Sequence, residues 1–426
     1  MATYTWVMIF CCFFSITQTR RMYNNYQVIR AKPLTQRHVI QLHALEYNEK
    51  SCHQLDFWTS ARAVRKTVDI MVPPTAKEYV ALTLDMIGVP YHVLIDDVNE
   101  VIQTQRVSHS SKVAARGSNE DFFMFYHTID EIKLFQDSLL STYGNILSEL
   151  EIGTSYEKQP MKVLKISTGG ASDKKKIWFE GGIHAREWIS PATVMYITNK
   201  FLEKYTSGSE DEVNFLTKYD IYILFVTNPD GYRWTWDNDR LWRKTRSPNE
   251  GSECVGTDPN RNWPFEWGGE GASEEPCSDT YRGSSATSEP EIESVVNFLK
   301  KLENLEMFID FHSYSQLMLY PWGYASDLAP ISNEEEVKKL GDATITAIEA
   351  VSGREYECGN TVELLYAASG ASEDYAYSIG TRFSYVIELP DKGKYGFVLP
   401  EEEIIPTGEE TYAGVMAAFR YLIEYT

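Results

Sequence analysis

A histidine and a glutamate stand close together directly after an apolar segment of the chain. The string KIWFEGGIHAREW places His184 and Glu187 where a predicted strand gives way to a helix. A second histidine, His312, follows another apolar run in MFIDFHSYS. Two imidazoles and one carboxylate are the ligand set of a catalytic zinc ion that keeps its fourth position for water. Each residue alone has an ordinary alternative, as a solvated histidine, a helix-start glutamate or a satisfied core residue.

Basic and amide side chains cluster on predicted loops. RLWRKTR contains Arg243, and DPNRNW contains Asp258, Asn260 and Arg261. A guanidinium binds a carboxylate through paired hydrogen bonds, so Arg261 with Asn260 suits a free C-terminus, and Arg243 suits an oxyanion. Asp258 can accept a hydrogen bond from the far ring nitrogen of a ligand histidine. The alternatives are surface salt bridges for the arginines and a turn for Asp258.

Two further candidates lie near the C-terminal end. Glu388 ends the apolar run YVIEL, where an unpaired carboxylate is unfavourable unless it faces a cavity, a metal or water. This position predicts a general base. Tyr366 precedes the small-residue loop AASGAS, which would let its phenol swing over a ligand, although simple packing is the alternative.

These residues belong to a long region of apolar strands that alternate with amphipathic helices. That pattern predicts an α/β fold with a mixed, mainly parallel sheet covered by helices on both faces. Chemistry in such folds collects at the carboxyl ends of strands, where several of these polar clusters stand. The predicted strands are MKVLKIS, KIWFEGG, IYILFVTNPDG, MFIDFHSYS and FSYVIELP, and the predicted helices are PATVMYITNKFLEKY, EPEIESVVNFLKKL, NEEEVKKLGDATITAIEAV and EETYAGVMAAFRYLIEY.

A different pattern precedes this region. Shorter alternating runs and helical patterns up to about residue 106 predict a small α+β unit of strand-helix-strand-strand-helix-strand order. The next stretch, QRVSHSSKVAARGSNED, is small, polar and basic, with little apolar periodicity. We interpret it as an exposed linker, where proteases cut.

Composition bounds the class of protein. The chain has 426 residues, of which 43% are hydrophobic and 24% charged, with a formal net charge of -21. These values are ordinary for a globular protein, and the length fits one large domain with a smaller one. An acidic surface repels phosphate backbones and anionic lipids, so we expect neither nucleic acid nor a membrane as a partner.

The N-terminus and the cysteines indicate the compartment. An apolar run from Trp6 to Ile16 is too short to span a bilayer and suits a secretory signal peptide, with a buried helix as the alternative. Without the signal four cysteines remain, and sequence alone permits three pairings. We favour Cys254 with Cys277, which flank a loop rich in glycine and serine, and Cys358 is a candidate free thiol.

Taken together, these features resemble the pancreatic-type carboxypeptidase A and B family of zinc exopeptidases. The resemblance covers nearly the whole chain. It rests on strings that occur in the family's order, namely GGIHAREW, TNPDGY, RLWRKTR, DPNRNW, HSYSQ, YAASGAS and IELPDKGKYGF. Such a collinear set is highly specific, whereas any one string is not. Carboxypeptidase A is itself one of the enzymes from which the ligand preferences of catalytic zinc are known, so the match to that ligand set is not independent support for the resemblance.

The resemblance implies a role for each candidate residue. His184, Glu187 and His312 match the ligands of one zinc ion, Glu388 the catalytic glutamate, and Arg243 the carbonyl-polarising arginine. Asn260, Arg261 and Tyr366 match the group that holds the terminal carboxylate, while Arg186, Tyr314 and Phe397 match neighbouring subsites. Asp258 matches a carboxylate behind a ligand histidine, and Cys254 with Cys277 matches a disulfide. In the implied mechanism, Glu388 takes a proton from the attacking water and returns it to the leaving amine.

The resemblance also implies an organisation into three parts. These are a signal peptide over 1–17, a pro-domain and activation linker over 18–116, and a catalytic domain over 117–426. The implied folds are an antiparallel open sandwich that caps the cleft and an eight-stranded mixed sheet flanked by helices. A trypsin-like protease would cut after Arg116. We therefore expect a secreted, inactive precursor that acts on peptide and protein C-termini in the digestive lumen, with proteinaceous carboxypeptidase inhibitors as further partners.

One position bears on which terminal residue is removed. In this family the base of the pocket is apolar in A-type enzymes and an aspartate in B-type enzymes, and here it is Glu373, with Gly323 and Thr361 at the walls. A buried carboxylate is unfavourable unless a cation meets it, so a terminal Lys or Arg is predicted. The alternatives are an outward-turned Glu373 with an A-type pocket, a regulatory enzyme of the type without such a pro-domain, and an inactive relative that only binds peptides.

Overall fold

A computed structural model describes residues 20–53, 55–114, 119–170 and 173–425. The expected signal peptide and the expected cleavage site at Arg116 lie outside these ranges. Within the described ranges, no helix is both long and apolar enough to cross a membrane.

The N-terminal unit is a four-stranded antiparallel sheet packed against helices. Its apolar core joins side chains of the strands to side chains of two helices, including Ile29 and Ile70 with Leu42 and Val80. The sheet order is β2-β3-β1-β4. The elements are β1 (Gln27–Ala31), α1 (Gln36–His53), β2 (Asp56–Phe57), β3 (Val68–Val72), α2 (Lys77–Ile87), β4 (Tyr91–Ile95) and α3 (Val98–Ala114). The predicted small α+β unit is confirmed.

Helix α3 corrects one prediction. The stretch from Gln105 to Ala114, expected to be an exposed linker, forms the second half of this helix. Gln105 is buried, and its amide donates to the carbonyl of Leu399 at 2.9 Å. Its side-chain oxygen accepts from Arg240 Nε at 3.3 Å. Contacts with the larger domain therefore order a segment whose low apolar content suggested an unstructured chain.

The larger unit is built on an eight-stranded mixed sheet, as predicted. Its strand order is β11-β10-β12-β9-β7-β8-β6-β5. The central strand β9 runs parallel to both of its neighbours, β7 and β12, while β6 and β10 pair antiparallel with β8 and β12. The strands are β5 (Leu147–Thr154), β6 (Pro160–Ile166), β7 (Lys175–Gly181), β8 (Tyr219–Leu224), β9 (Leu305–Ser313), β10 (Leu317–Tyr320), β11 (Glu357–Asn360) and β12 (Phe383–Leu389).

Helices cover both faces of this sheet. Consecutive strand residues point to opposite faces, so Phe179 joins the core shared with Phe419, whereas Trp178 joins a second core shared with Ile292. This double burial explains why the strands are almost wholly apolar. The helices are α4 (Ile129–Tyr143), α5 (Ile189–Thr206), α6 (Glu210–Lys218), α7 (Pro229–Asp237), α8 (Pro290–Leu299), α9 (Glu334–Ser352), α10 (Thr361–Leu364), α11 (Ser372–Ser378) and α12 (Ile404–Tyr425).

The parallel strands bring the polar strings to one edge of the sheet. Strand β7 ends just before His184, and the neighbouring β9 carries His312 at its own carboxyl end. In β12, Glu388 lies opposite His312 in the register of the two strands. Cys254 and Cys277 form the predicted disulfide within the loops that lead to this edge.

Candidate active site

The loop after β7 presents two of the predicted metal ligands. His184 Nδ1 lies 2.8 Å from Glu187 Oε1, and both side chains are buried. A backbone hydrogen bond from the amide of Ala185 to the carbonyl of Arg243 at 3.0 Å fixes the loop. Glu187 Oε2 accepts from the amide of Ser313 at 3.1 Å, which links this loop to the end of β9.

His312 completes the group from the neighbouring strand. Its Nδ1 lies 3.1 Å from His184 Nδ1 and 3.2 Å from Glu187 Oε2. Two ligands bound to a tetrahedral zinc at ordinary bond lengths lie about 3.3 Å apart. One ligand atom from each of the three residues lies within 4.8 Å of the other two, which is close enough for one ion. The structure thus brings together two histidines that are 128 positions apart in the sequence.

Both histidines are oriented by carboxylates at their other ring nitrogen. His184 Nε2 lies 3.1 Å from Asp258 Oδ1, and His312 Nε2 lies 2.9 Å from Asp310 Oδ2. Because an ionised carboxylate can only accept, each Nε2 carries the proton and each Nδ1 directs a lone pair toward the other ligands. A cation satisfies that arrangement, so the donor set fits a bound zinc ion.

The pKa shifts of Glu187 and His312 reflect the charged groups that surround them. Burial disfavours the ionised form of Glu187, yet the adjacent His184 and His312 hold its pKa below the usual range. Burial likewise disfavours a charged imidazole, yet the carboxylates of Asp310 and Glu187 raise the pKa of His312 well above its ordinary value.

Arg243 is held against the same cluster. Its Nε and Nη2 donate to Asp258 Oδ2 at 3.2 and 2.8 Å, and its Nη1 lies 3.8 Å from Glu187 Oε1. Burial opposes the charge on Asp258, but Arg243 and His184 hold its pKa well below the usual range. Asp258 therefore lies between one predicted ligand and the predicted carbonyl-polarising arginine.

The three residues expected to hold a terminal carboxylate lie on the same wall of the cleft. Asn260 and Arg261 form a short helical turn that Asp258 caps, with Asp258 Oδ1 accepting from the amide of Asn260 at 3.0 Å. Arg261 Nε donates to the carbonyl of Gly271 at 3.0 Å, which fixes the guanidinium. Tyr366 is half-buried, and its ring centre lies 5.9 Å from Arg261 Cζ.

Glu388 projects into the cleft from the end of β12. Its Oε2 is buried without a hydrogen-bond partner in the described structure. Burial raises its pKa to about 8, against the opposing influence of His312. A carboxylate with a raised pKa and an unused oxygen beside the metal ligands suits proton transfer near neutral pH.

Glu373 occupies a buried pocket that opens into the same cleft. Its side chain is 2% exposed, its Oε1 accepts from Thr361 Oγ1 at 3.2 Å, and its Oε2 has no partner in the part of the chain described. Burial raises its pKa above the usual range. A Cβ at Gly323 would come within 3.1 Å of Glu373 Oε1, so glycine keeps space open beside the carboxylate.

The residues matched to neighbouring subsites contact the N-terminal unit. Arg186 Nη1 donates to Asp56 Oδ2 at 3.0 Å, and the Tyr314 hydroxyl donates to Asp69 Oδ2 at 2.8 Å. The Phe397 ring packs on Trp58, with ring centres 5.2 Å apart. The cleft is also lined by Arg62 of the N-terminal unit. This unit therefore covers the cleft and occupies its outer part.

Sequence reasoning missed several polar residues of this site. Asp310 stood inside the string that revealed His312, and its position two residues earlier on a strand puts both side chains on one face. The two-residue spacing could therefore have identified Asp310 as a neighbour of His312 from the sequence. Asp56 and Asp69 carried none, because their partners are more than 100 positions away and only the docking of two units brings them together.

Comparisons with known proteins agree with this geometry. The family model described as "Zinc carboxypeptidase" matches residues 132–414, and the model described as "Carboxypeptidase activation peptide" matches residues 29–105. Carboxypeptidase A1 of Bos taurus is 40% identical over 400 residues, covering 93% of this chain and 94% of that protein. Carboxypeptidase A4 of Mus musculus is 41% identical over 375 residues, covering 87% of this chain and 88% of that protein.

Solved structures show the same architecture. The crystal structure of thrombin activatable fibrinolysis inhibitor superposes with a TM-score of 0.85 at 33% identity, covering 95% of this chain and 100% of the other. Carboxypeptidase A from Helicoverpa armigera gives a TM-score of 0.86 at 28% identity, covering 96% of this chain and 100% of the other. The chain belongs to the zinc carboxypeptidase family. It is a metallocarboxypeptidase in precursor form, with zinc as its cofactor.

Removal of the metal provides a first test of the site. A chelator is expected to abolish peptide hydrolysis by the activated protein, and added zinc to restore it, because the metal would supply the Lewis acidity that the reaction needs. Zinc at about 100 times its dissociation constant should stabilise the fold by roughly 2.7 kcal/mol, measured as a rise in melting temperature. Full activity in the metal-free protein would contradict the assignment.

Proposed function

We propose that this chain is the secreted precursor of a carboxypeptidase that removes C-terminal lysine or arginine residues from peptides. The observation that carries the choice of substrate is the buried carboxylate of Glu373, which has an oxygen without a partner in the described structure and lies beside Gly323, a residue with no side chain. The observation that carries the reaction is the convergence of His184, Glu187 and His312 beside Glu388.

Each polar group has a part in the hydrolysis. The two histidines and Glu187 would hold the zinc ion, which would supply Lewis acidity toward the scissile carbonyl. Glu388 accepts a proton from the water that attacks the carbonyl carbon, and then gives that proton to the amine nitrogen as the peptide bond breaks. Arg243 donates hydrogen bonds to the carbonyl oxygen as it gains negative charge.

A second group of residues in the cleft explains the proposed restriction to chain ends. Arg261 and Asn260 present donors to a carboxylate, and Tyr366 lies close enough to close over it. An internal residue has an amide where a terminal residue has a charged carboxylate, so it forfeits these charge-assisted hydrogen bonds. The same contacts orient the scissile bond toward Glu388.

The pocket for the terminal side chain favours a cation. An ionised Glu373 without a partner is unfavourable in a buried site, and its raised pKa reflects that cost. A lysine or arginine side chain would supply the missing charge and donors. An apolar side chain would leave the carboxylate unsatisfied, so the pocket discriminates against it.

A second candidate is an A-type enzyme that releases apolar or aromatic residues. The names of the relatives favour it, since several of the most similar proteins are called carboxypeptidase A. In that case Glu373 would take a proton, remain neutral on burial, and accept an apolar neighbour. Substrate preference separates the two candidates.

The N-terminal unit accounts for latency. It holds Arg186 through Asp56, holds Tyr314 through Asp69, and places Trp58 on Phe397, so a peptide cannot reach these subsites. A trypsin-like protease would cut after Arg116 and free the domain that begins at Gly117. Secretion and exposure to such a protease fit an extracellular site of action, of which the digestive lumen is our specific proposal.

A proteinaceous inhibitor is a further candidate partner, because the bovine form of thrombin-activatable fibrinolysis inhibitor has been solved in complex with tick carboxypeptidase inhibitor.

The role of Glu388 predicts a selective loss of turnover. Glu388→Gln is expected to lower kcat by roughly 100- to 10,000-fold, because the amide cannot accept the proton of water. Zinc content and peptide affinity should stay near those of the parent, which can be checked by metal analysis and by peptide binding. Normal turnover in the variant would remove Glu388 from this role.

The role of Glu373 predicts that a substitution at this position changes which C-terminal residue the enzyme prefers. Matched peptides ending in Lys, Arg, Phe, Leu and Glu should be cleaved best when the end is basic. Glu373→Ile should lower kcat/KM for basic ends by on the order of 100-fold, because losing one partner of a buried charge pair costs about 3 kcal/mol.

The matched control for this exchange is Glu363→Gln, which removes the same charge from an exposed position on the neighbouring α10. It should leave the preference unchanged. A parent enzyme that prefers Phe or Leu would favour the A-type candidate. A Glu373→Ile variant that still prefers basic ends would show that Glu373 does not set the preference.

The covering of the cleft predicts dependence on proteolysis. The intact precursor should hydrolyse large peptides far more slowly than protein treated with a trypsin-like protease, and the active product should begin at Gly117 by mass spectrometry. Arg116→Gln should block activation at this position, whereas Lys112→Gln should not. An intact precursor as fast as the treated form would contradict a covering pro-domain.

A further inference from the structure

We propose that Asp310 is a positioning residue for the metal, which holds His312 with its Nδ1 directed at the ion and ties this ligand to helix α11 at the specificity pocket. The inference deepens the proposed function, because it takes His312 as a zinc ligand. In the sequence, only the two-residue spacing between Asp310 and His312 indicates this role.

The geometry follows from the strand. Asp310 and His312 are two residues apart on β9, so their side chains share one face. Asp310 Oδ2 lies 2.9 Å from His312 Nε2, and Asp310 is 0% exposed. Rotation of the imidazole would break this hydrogen bond in a site where water cannot replace it.

Asp310 contacts the Nε2 of His312 in the same way as Asp258 contacts the Nε2 of His184. Each carboxylate accepts from the Nε2 of one histidine, which leaves the two Nδ1 atoms facing each other. Carboxylates in this position fix the ring and increase its basicity toward a metal. The site therefore has two supports of the same chemical kind, one on a loop and one on the central strand.

The two supports differ in what else they bind. Asp258 shares its charge with Arg243 and with the amide of Asn260. Asp310 has no lysine or arginine as an ion-pair partner anywhere in the described ranges. Within those ranges its ion-pair contact is with His312, so this carboxylate supports a single predicted metal ligand directly.

A second buried acid lies next to Asp310 on the adjacent strand. Glu180 on β7 lies opposite Asp310 in the register of the two strands, and it is fully buried. The Glu180 carboxylate accepts from the indole of Trp178 at 2.9 Å, so its contact is with its own strand and Asp310 is left to contact His312.

A second contact connects Asp310 to the pocket. Ser372, the first residue of α11, donates through its hydroxyl to Asp310 Oδ2 at 2.8 Å, and its amide donates to Asn260 Oδ1 at 2.8 Å. The next residue along α11 is Glu373. One carboxylate oxygen therefore holds both a metal ligand and the helix that carries the acidic base of the pocket.

A purely structural role predicts different behaviour from a positioning role. If Asp310 only anchored α11, removal of the Ser372 hydroxyl would reproduce the effect of removing the Asp310 charge. If Asp310 acts through His312, the two substitutions would separate. Ser372→Ala is therefore the matched control for Asp310→Asn, which keeps the size of the side chain and an acceptor oxygen.

The experiment measures zinc affinity of the full-length precursor by competition with a chromophoric chelator. Asp310→Asn is expected to weaken zinc binding by roughly 10- to 100-fold, the range typical of such supporting carboxylates. Ser372→Ala should leave the affinity close to that of the parent. In cobalt-substituted protein, Asp310→Asn should alter the visible absorption bands, whereas Ser372→Ala should not.

The melting temperature of each metal-free variant shows whether it has folded, and Asp310→Ser replaces Asp310→Asn if the latter does not fold. Parent-like zinc affinity in the Asp310 variant, or an equal loss in Ser372→Ala, would overturn the role of Asp310. A parent protein that binds no zinc would instead overturn the metal site of the proposed function. The two failures are therefore distinguishable.

Discussion

Three buried ligand atoms that face one another are the constraint on which the rest of this structure depends. The Nδ1 atoms of His184 and His312 lie 3.1 Å apart, with a carboxylate oxygen of Glu187 beside them. Such a group is stable only if each side chain is held from behind and a cation is present in front. The parallel pairing of β7 and β9 brings the two histidines to one sheet edge, and Asp258 and Asp310 hold the rings.

Burial then gives chemically identical carboxylates different functions. Glu187 and Asp258 have basic neighbours, which overcome the cost of burial and hold both pKa values low. Glu388 and Glu373 lack such direct partners, so burial dominates and raises their pKa values. The low pKa values of the first pair favour the ionised form beside a predicted metal ligand and an arginine. The raised pKa values of the second pair suit the roles proposed above, proton acceptance for Glu388 and a counter-charge for Glu373.

The side chains at the mouth of the cleft explain how the N-terminal unit binds over it. Arg186, Tyr314 and Phe397 present a cation, a hydroxyl and an aromatic face at the mouth of the site. The N-terminal unit meets them with two aspartates and a tryptophan, so its docking satisfies groups that are otherwise open to a peptide. Arg30 in turn pairs with Asp69 at 2.6 Å, which fixes one of these aspartates within the N-terminal sheet. We expect removal of this unit to expose Arg186, Tyr314 and Phe397.

The sequence by itself determined the class of fold, because long apolar strands alternate with amphipathic helices. It also predicted the ligand set and a general base, because His184 and Glu388 follow or end such strands, where polar side chains meet at one edge of the sheet. It did not reveal the short strands β10 and β11, whose four residues each are stabilised by neighbours rather than by a pattern of their own. Nor did it reveal that α3 continues through the expected linker. The tertiary structure alone decided that Asp310 faces His312 and Ser372, and that Asp56 meets Arg186. Those contacts join residues from separate elements, and local sequence contains no information about partners that only packing brings within reach.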